Sequence, residues 1–419
     1  MPYYRVRGGN RICGTTSIGG GKNAALPILA ALVLAKGQTI LHNVPHIADI
    51  HLSIDILRHL GCRAELDNHT LTVTHDGLTQ TGLPAELVTK MRSSILFMGA
   101  MLGATGQVSI ASPGGCQIGP RPIDLHLDGL QKMGATIEDD GTQMHASAPE
   151  GLHGTTLYLR EISVGATENL LLAAVTAQGK TTIVNAAREP EIVDLAHFLN
   201  ACGANIRGAG TSTITINGVK TLRGTTYRIM PDRIVTGTYL LAAAMTGGDI
   251  TLTDVNPADV KPITAPLLAM GCQINEKPAT LRLRAPRLLR SLHLTTEAHP
   301  GFPTDMQAPF VAALATAKGT SIIEERIFES RAAHAAELLR MGANIRLTTD
   351  ERTFVIKGRP HLAATDVTAR DLRGGAALIL AALAATGTTT IHDPGYVARG
   401  YDKIEETLTR LGGDVIHFP

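Results

Sequence analysis

The sequence predicts an α/β protein of two domains, each made of three copies of a unit about 70 residues long, with helices inside and strands outside. Three observations predict it. At 419 residues the chain exceeds what one hydrophobic core usually organises. Two glycine series run in step along its whole length. Between them, Ala- and Leu-rich helical stretches alternate with short β-prone runs.

The first series is Gly37, Gly106, Gly179, Gly248, Gly319 and Gly387, spaced by 69, 73, 69, 71 and 68 residues. The second is Gly61, Gly134, Gly203, Gly271, Gly342 and Gly412, spaced by 73, 69, 68, 71 and 70. Two registered series across six units are the mark of internal duplication. In the third unit an apolar helix, 171-LLAAVTAQG-179, leads to a strand, 181-TTIVN-185. A second helix follows, 191-EIVDLAHFLNACG-203, and then alternating strand sequence, 211-TSTITINGV-219. Both glycine series suit helix C-caps, where a positive φ carries no Cβ penalty.

The first helix of each unit is apolar or small on nearly every side, which predicts burial all round. The second is amphipathic: Leu52, Ile56 and Leu60 share one side while Asp55 and Arg58 face solvent. Glycine and proline near 19-GGGKNAALP-27 and 227-YRIMPDR-233 mark chain crossings. One domain is expected over residues 22–229 and the other over 1–21 together with 230–419, with the active site in the cleft between them.

Bulk composition excludes several functions. A formal net charge of +1 gives no electrostatic reason to expect nucleic acid or an anionic membrane. Without Trp, and with seven Phe and seven Tyr, the chain lacks stacking platforms for single strands. Apolar runs are too short and too broken to span a bilayer. Five widely spaced cysteines, with no Cys-x-x-Cys pair and no signal pattern at 1-MPYYRVRGGN-10, predict a cytoplasmic location. No HExxH or zinc-module spacing occurs among the sixteen histidines, so neither metal nor cofactor is expected.

Candidate chemistry gathers in the loops after the first strand of each unit. The second-unit loop, 111-ASPGGCQIGPRP-122, places Cys116 after two glycines and five residues before Arg121. A nearby guanidinium favours a thiolate, and a functional thiol and an inert loop cysteine both remain open. Repeat equivalence adds Arg188, Arg331 and Arg399 to the region. Cys62, Cys202 and Cys272 adjoin the second glycine series among apolar residues and read as structural, as does Cys13. Lys22 follows three glycines at a helix start, which suits an anion or simple solvation. Asp305, in 301-GFPTDMQAPF-310, is either a helix-start carboxylate or a general base. Asp232 and Asp371 precede arginines and read as docking pairs.

The motifs GGGKNAALP, MRSSI, SPGGCQIGPRPIDLH, SVGAT, NAAREPEIVD, PDRIVTGT, FPTDMQA, DLR and ARGY occur in order over nearly the whole chain. Together they resemble the UDP-N-acetylglucosamine 1-carboxyvinyltransferase family, the enolpyruvyl transferases of bacterial peptidoglycan synthesis. The resemblance implies a two-domain inside-out α/β barrel. It implies phosphoenolpyruvate and UDP-N-acetylglucosamine as substrates, with addition and then elimination through a tetrahedral intermediate. It implies no cofactor and no obligate protein partner.

Carried onto this sequence, the resemblance makes Cys116 the general acid and the thiol alkylated by fosfomycin, and Asp305 the base. Lys22, Arg121 and Arg399 would hold phosphate and carboxylate. Asn23, Arg92, Pro122, Ile123, Asp124, Ser163, Val164, Gly165 and Ile327 would hold the nucleotide sugar or the intermediate, and Arg331, Asp371 and Arg373 would serve positioning and closure. One departure is Glu161, where relatives can carry a basic residue; Arg160 beside it is a candidate to compensate. The sister activity on shikimate 3-phosphate, and a non-catalytic nucleotide-sugar binder, are the alternatives.

Overall fold

The first helix of every repeat has no polar side to turn to water, and the computed structural model, which describes residues 2–112, 119 and 122–419, buries it accordingly. These helices are Lys22–Ala31, Leu96–Thr105, Val164–Ala174, Arg233–Thr246, Gln307–Leu314 and Leu372–Ala384. In the last of them every residue from Arg373 to Leu383 is buried. The second helices are Ala48–His59, Asp124–Lys132, Pro190–Ala201, Lys261–Ala269, Ala333–Arg340 and Ile404–Arg410. They lay one side on the core: Ile56 and Leu60 are buried, and Asp55 and Arg58 are exposed.

All six second helices stop in the same way. Gly61, Gly134, Gly203, Gly271, Gly342 and Gly412 each have φ between 84° and 105°. Gly61 N donates to Arg58 O at 3.0 Å, and Cys62 N donates to Leu57 O at 3.0 Å. The same pair of bonds recurs at every other glycine of the series, so each helix ends in a Schellman motif that returns the chain to a strand.

The chain divides into two compact units. One holds residues 20–112 and 122–230, and the other holds residues 2–19 and 231–419. In each unit the three first helices touch one another pairwise, and one contiguous apolar core surrounds them. The chain passes between the units at Gly19–Gly20 and again at Met230–Pro231. Each passage is fixed within its own unit: Gly21 N donates to Met230 O at 2.8 Å, and Asp232 N donates to Gly19 O at 2.9 Å.

The expectation of an inside-out barrel is corrected. Among the described residues the strands form six separate open sheets of three to five strands, and none closes on itself. Parallel and antiparallel pairings meet within them. Thr182–Val184, for example, pairs parallel with Thr156–Tyr158, while Lys180–Val184 pairs antiparallel with Thr213–Asn217. A barrel needs one hydrogen-bond ladder running round the whole ring. Here each ladder ends at an edge strand, and helix packing joins the repeats. The chain crossings do exchange strands: Cys13–Ser17 pairs with Asp249–Thr253, and Thr226–Arg228 pairs with Ile40–His42. No helix among the described residues is long and apolar enough to cross a membrane.

At Gly342 (φ 84°) a Cβ would meet nothing within 4 Å. Gly342→Ala therefore isolates the backbone term and should lower unfolding stability by about 1–2 kcal/mol in denaturant titration. A loss too small to resolve would contradict the C-cap account.

Candidate active site

Because the first helices are buried all round, their polar chemistry concentrates at their N-terminal ends. In the unit holding residues 231–419, the short helix Thr304–Met306 carries Asp305. Its Oδ1 accepts from Arg331 Nη2 at 2.9 Å, and its Oδ2 accepts from Arg373 Nη2 at 2.8 Å. Both arginine side chains are nearly enclosed, at 4% and 3% exposure, while Asp305 keeps 24%. Burial alone would raise the Asp305 carboxyl; the two guanidiniums outweigh it and hold the group well below the usual carboxylate range. Burial likewise works against the Arg373 charge, and Asp305 overrides it.

A second layer sets these groups. Arg331 Nη1 donates to Thr304 Oγ1 at 2.7 Å, and Thr304 Oγ1 donates to Glu325 Oε2 at 2.9 Å. Glu325 Oε1 accepts from Ile327 N and Phe328 N at 2.8 and 3.1 Å, which shapes the loop leading to Arg331. Asp371 caps Leu372–Ala384 through Arg373 N and Gly374 N, both at 2.9 Å. The Arg373 guanidinium lies 5.5 Å from the centre of the Tyr401 ring, and the Tyr401 hydroxyl meets Thr238 Oγ1 at 3.0 Å. Asp232 caps its own helix through Ile234 N and Val235 N. Arg399 is half-buried in the corresponding loop of the sixth repeat, which Asp393 holds by accepting from three backbone N–H groups.

In the unit of residues 20–230, Lys22 begins Lys22–Ala31, and its Nζ lies 2.7 Å from Asp49 Oδ2. The two side chains are 10% and 5% exposed, so the ammonium is fixed in place rather than solvated. Asn23 and Arg92 are half-buried. Ser163 caps Val164–Ala174, its Oγ accepting from Ala166 N at 3.2 Å, and the segment Ser163–Val164–Gly165 forms that helix's N-terminus. Asp124 opens its helix beside Ile123, with Pro122 exposed. It pairs with Arg160, and that hydrogen bond lowers its carboxyl. Arg160 is thus engaged by Asp124 and is not simply at hand to stand in for a base at exposed Glu161. Cys116 and Arg121 lie outside the described residues.

The other cysteines differ among themselves. Burial pushes the Cys62 thiol up to about 11 and those of Cys202 and Cys272 to about 12, so all three are poor nucleophiles near neutrality. Cys13, read as structural, is exposed at the start of Cys13–Ser17.

Sequence reasoning missed Asp49, the Thr304–Glu325 layer and Tyr401. It also missed a group of buried acids, Glu168, Glu189 and Glu191. Burial, then Glu191 and Glu189, raises the Glu168 carboxyl well above its ordinary value. The available signal was an acid twelve residues before the second-series glycine, shared by Asp49 and Glu191.

Comparison with known proteins gives the class first. The family model described as EPSP synthase (3-phosphoshikimate 1-carboxyvinyltransferase) matches residues 6–408, so the chain is of the carboxyvinyltransferase class. It is 49% identical to UDP-N-acetylglucosamine 1-carboxyvinyltransferase 1 of Symbiobacterium thermophilum, over 98% of this chain and 94% of that protein. It is 47% identical to the protein of the same name from Caldanaerobacter subterraneus, over 96% of each. The chain belongs to the UDP-N-acetylglucosamine 1-carboxyvinyltransferase family. Among solved structures, the enolpyruvyl transferase NikO of Streptomyces tendae matches with a TM-score of 0.88 at 26% identity, covering 99% of this chain and 98% of that one. EPSP synthase of Acinetobacter baumannii matches with a TM-score of 0.78 at 21% identity, covering all of both chains, and shares the fold.

Asp305→Asn removes the counter-charge of two enclosed guanidiniums and should cost about 3 kcal/mol of stability at pH 7. Because the folded carboxyl is depressed, this stabilisation is present above the unfolded carboxylate range and is lost as pH falls below it; equal denaturation midpoints for the two proteins at pH 7 would refute it. Glu168 has the opposite sign. Its raised carboxyl makes Glu168→Gln stabilising by on the order of 1 kcal/mol near neutral pH. That gain should vanish below about pH 4.5, where the unfolded carboxyl is protonated too. Melting curves at pH 4 and pH 7.5 check it.

Proposed function

We infer that this chain transfers the enolpyruvyl group of phosphoenolpyruvate to the 3-hydroxyl of UDP-N-acetylglucosamine and releases phosphate, a step in peptidoglycan synthesis. The observation that carries this reading is the 49% identity, over 98% of the chain, to a protein of that name. The half-buried carboxylate clasped by two enclosed arginines supports it, since the reaction handles anions at every stage. A cytoplasmic location fits the reading.

In this reading Cys116 protonates the C3 methylene of phosphoenolpyruvate, and the developing charge at C2 is met by the sugar oxygen. Asp305 takes the hydroxyl proton as the new C–O bond forms. The product of addition is a tetrahedral phospholactoyl ketal; loss of one C3 proton and of phosphate restores the double bond. Lys22, Arg121 and Arg399 hold phosphate and carboxylate, and the enclosed Lys22–Asp49 pair keeps the ammonium pointed rather than mobile. Asn23, Arg92, Pro122, Ile123, Asp124 and Ile327 line the acceptor. Val164 and Gly165 offer first-turn N–H groups to its diphosphate.

The arginines also set when Asp305 can act. A carboxylate sharing two guanidiniums is a weak base. When substrate anions draw charge from Arg331 and Arg373, the carboxylate regains basicity. Base strength is thereby coupled to substrate occupancy.

Phosphate release from phosphoenolpyruvate should require UDP-N-acetylglucosamine and should not occur with shikimate 3-phosphate. Cys116→Ala should lower turnover by at least about 100-fold, and fosfomycin should add one mass increment at Cys116. Release with shikimate 3-phosphate instead would move the chain to the sister activity. No release from folded protein with either acceptor would favour a binding role.

A further inference from the structure

His126 and His334 occupy equivalent places in their repeats, each eight residues before its second-series glycine, Gly134 or Gly342. Both are buried, and each sits against a glycine in the first turn of a first helix, Gly165 or Gly374. Their partners differ. His334 stacks on Phe354 and has no hydrogen-bond partner among the described residues at either ring nitrogen, and burial pushes it down to about 4. His126 Nδ1 lies 3.0 Å from Asn169 Nδ2. Ten residues before Gly179 stands Asn169, and ten before Gly387 stands Ala377. Packing a histidine at this place therefore does not itself demand an amide.

The amide's orientation is settled by a group that can only donate. Asn169 is fully buried, and its Oδ1 accepts from Gly99 N at 2.8 Å, at the N-terminal turn of Leu96–Thr105. Two helices come this close because residue 99 is glycine; a Cβ there would lie 2.3 Å from Asn169 O and 2.4 Å from its Oδ1. With Oδ1 committed, Nδ2 faces the imidazole, and an –NH₂ group only donates. Nδ1 must then accept, and the proton of the neutral ring sits on Nε2. The Cε1–Nε2 edge packs on Gly165, where a Cβ would lie 3.3 and 3.4 Å from those atoms.

We propose that Asn169 is a positioning residue for the nucleotide-sugar acceptor: it locks His126 as a neutral Nε2–H donor beside the Ser163–Val164–Gly165 helix start. The proposal rests on the reading that this helix start holds the acceptor's diphosphate. A diphosphate only accepts hydrogen bonds, so the other tautomer would present a lone pair to it.

Two-bond ¹H–¹⁵N correlation spectra of the full chain, labelled at histidine, read the tautomer without ligand; UDP titrations and steady-state kinetics read its use. Wild type should show His126 as a single Nε2–H tautomer. Asn169→Asp replaces the donor by an acceptor and should place a proton on Nδ1, adding a pH step to the Kd for UDP. His126→Asn, whose amide mimics Nδ1, should raise KM for UDP-N-acetylglucosamine about tenfold above His126→Gln, whose amide mimics Nε2, with kcat little changed. The His126 pair leaves Asn169 intact, so it decides the matter even if Asn169→Asp does not fold. An Nδ1–H or mixed tautomer in wild type overturns the proposal, as does equal KM for the two His126 variants. Failure of wild type to bind UDP overturns the acceptor reading itself, whatever the spectra show.

Discussion

The polar groups of the candidate site answer to helices with no solvent side. Six helices rich in Ala, Leu and Gly fill the two cores, and a charged group placed along them would suffer full desolvation. Charge is admitted where unsatisfied N–H groups and a turn provide compensation, at the N-terminal ends. Lys22, Ser163, Asp232, Asp305, Asp371 and Arg373 all lie there. Some are caps and others are chemistry, and the same residue type at the same place serves either purpose. Asp371 and Asp232 accept backbone N–H bonds, whereas both Asp305 oxygens are taken by guanidiniums.

Enclosure also decides which ion pairs matter. Arg58–Asp55 and Arg160–Asp124 stand in solvent, where side-chain entropy and screening cancel most of the attraction. Arg331–Asp305–Arg373 and Lys22–Asp49 are largely shielded, so removing one member strands the others. The shielded sets include Lys22, Arg331 and Arg373, three of the cations proposed to meet substrate anions.

The repeat was legible in the sequence because it is written in backbone requirements. A helix that must turn into a strand needs a left-handed residue, and six glycines announce six such turns. The all-apolar helices and the amphipathic ones could be told apart by periodicity alone. Sheet closure was not legible. A 70-residue period specifies what each unit contains, while where a ladder stops depends on edge strands such as Arg63–Asp67 and on pairings across the chain crossings. The site was half legible. Asp305 and Arg373 stood out by motif and Arg331 by its place in the repeat, and the structure joins them. Asp49 carries no local signal beyond its place at a helix start, and Asn169 none beyond being polar in an apolar helix. Their partners lie 27 and 43 residues away, beyond any local pattern.

The strand Tyr3–Arg7 lies between Thr388–His392 and Asp414–Phe418, so the first residues of the chain pair with the last. During synthesis it must wait until residues 388–418 have been made before its partners exist. The unit of residues 20–230 has no such delay, since its strands and helices are complete when Met230 has left the ribosome. Synthesis thus imposes an order, with the middle of the sequence assembling first and the two ends last. A strand left unpaired that long is where the growing chain is most open to mispairing.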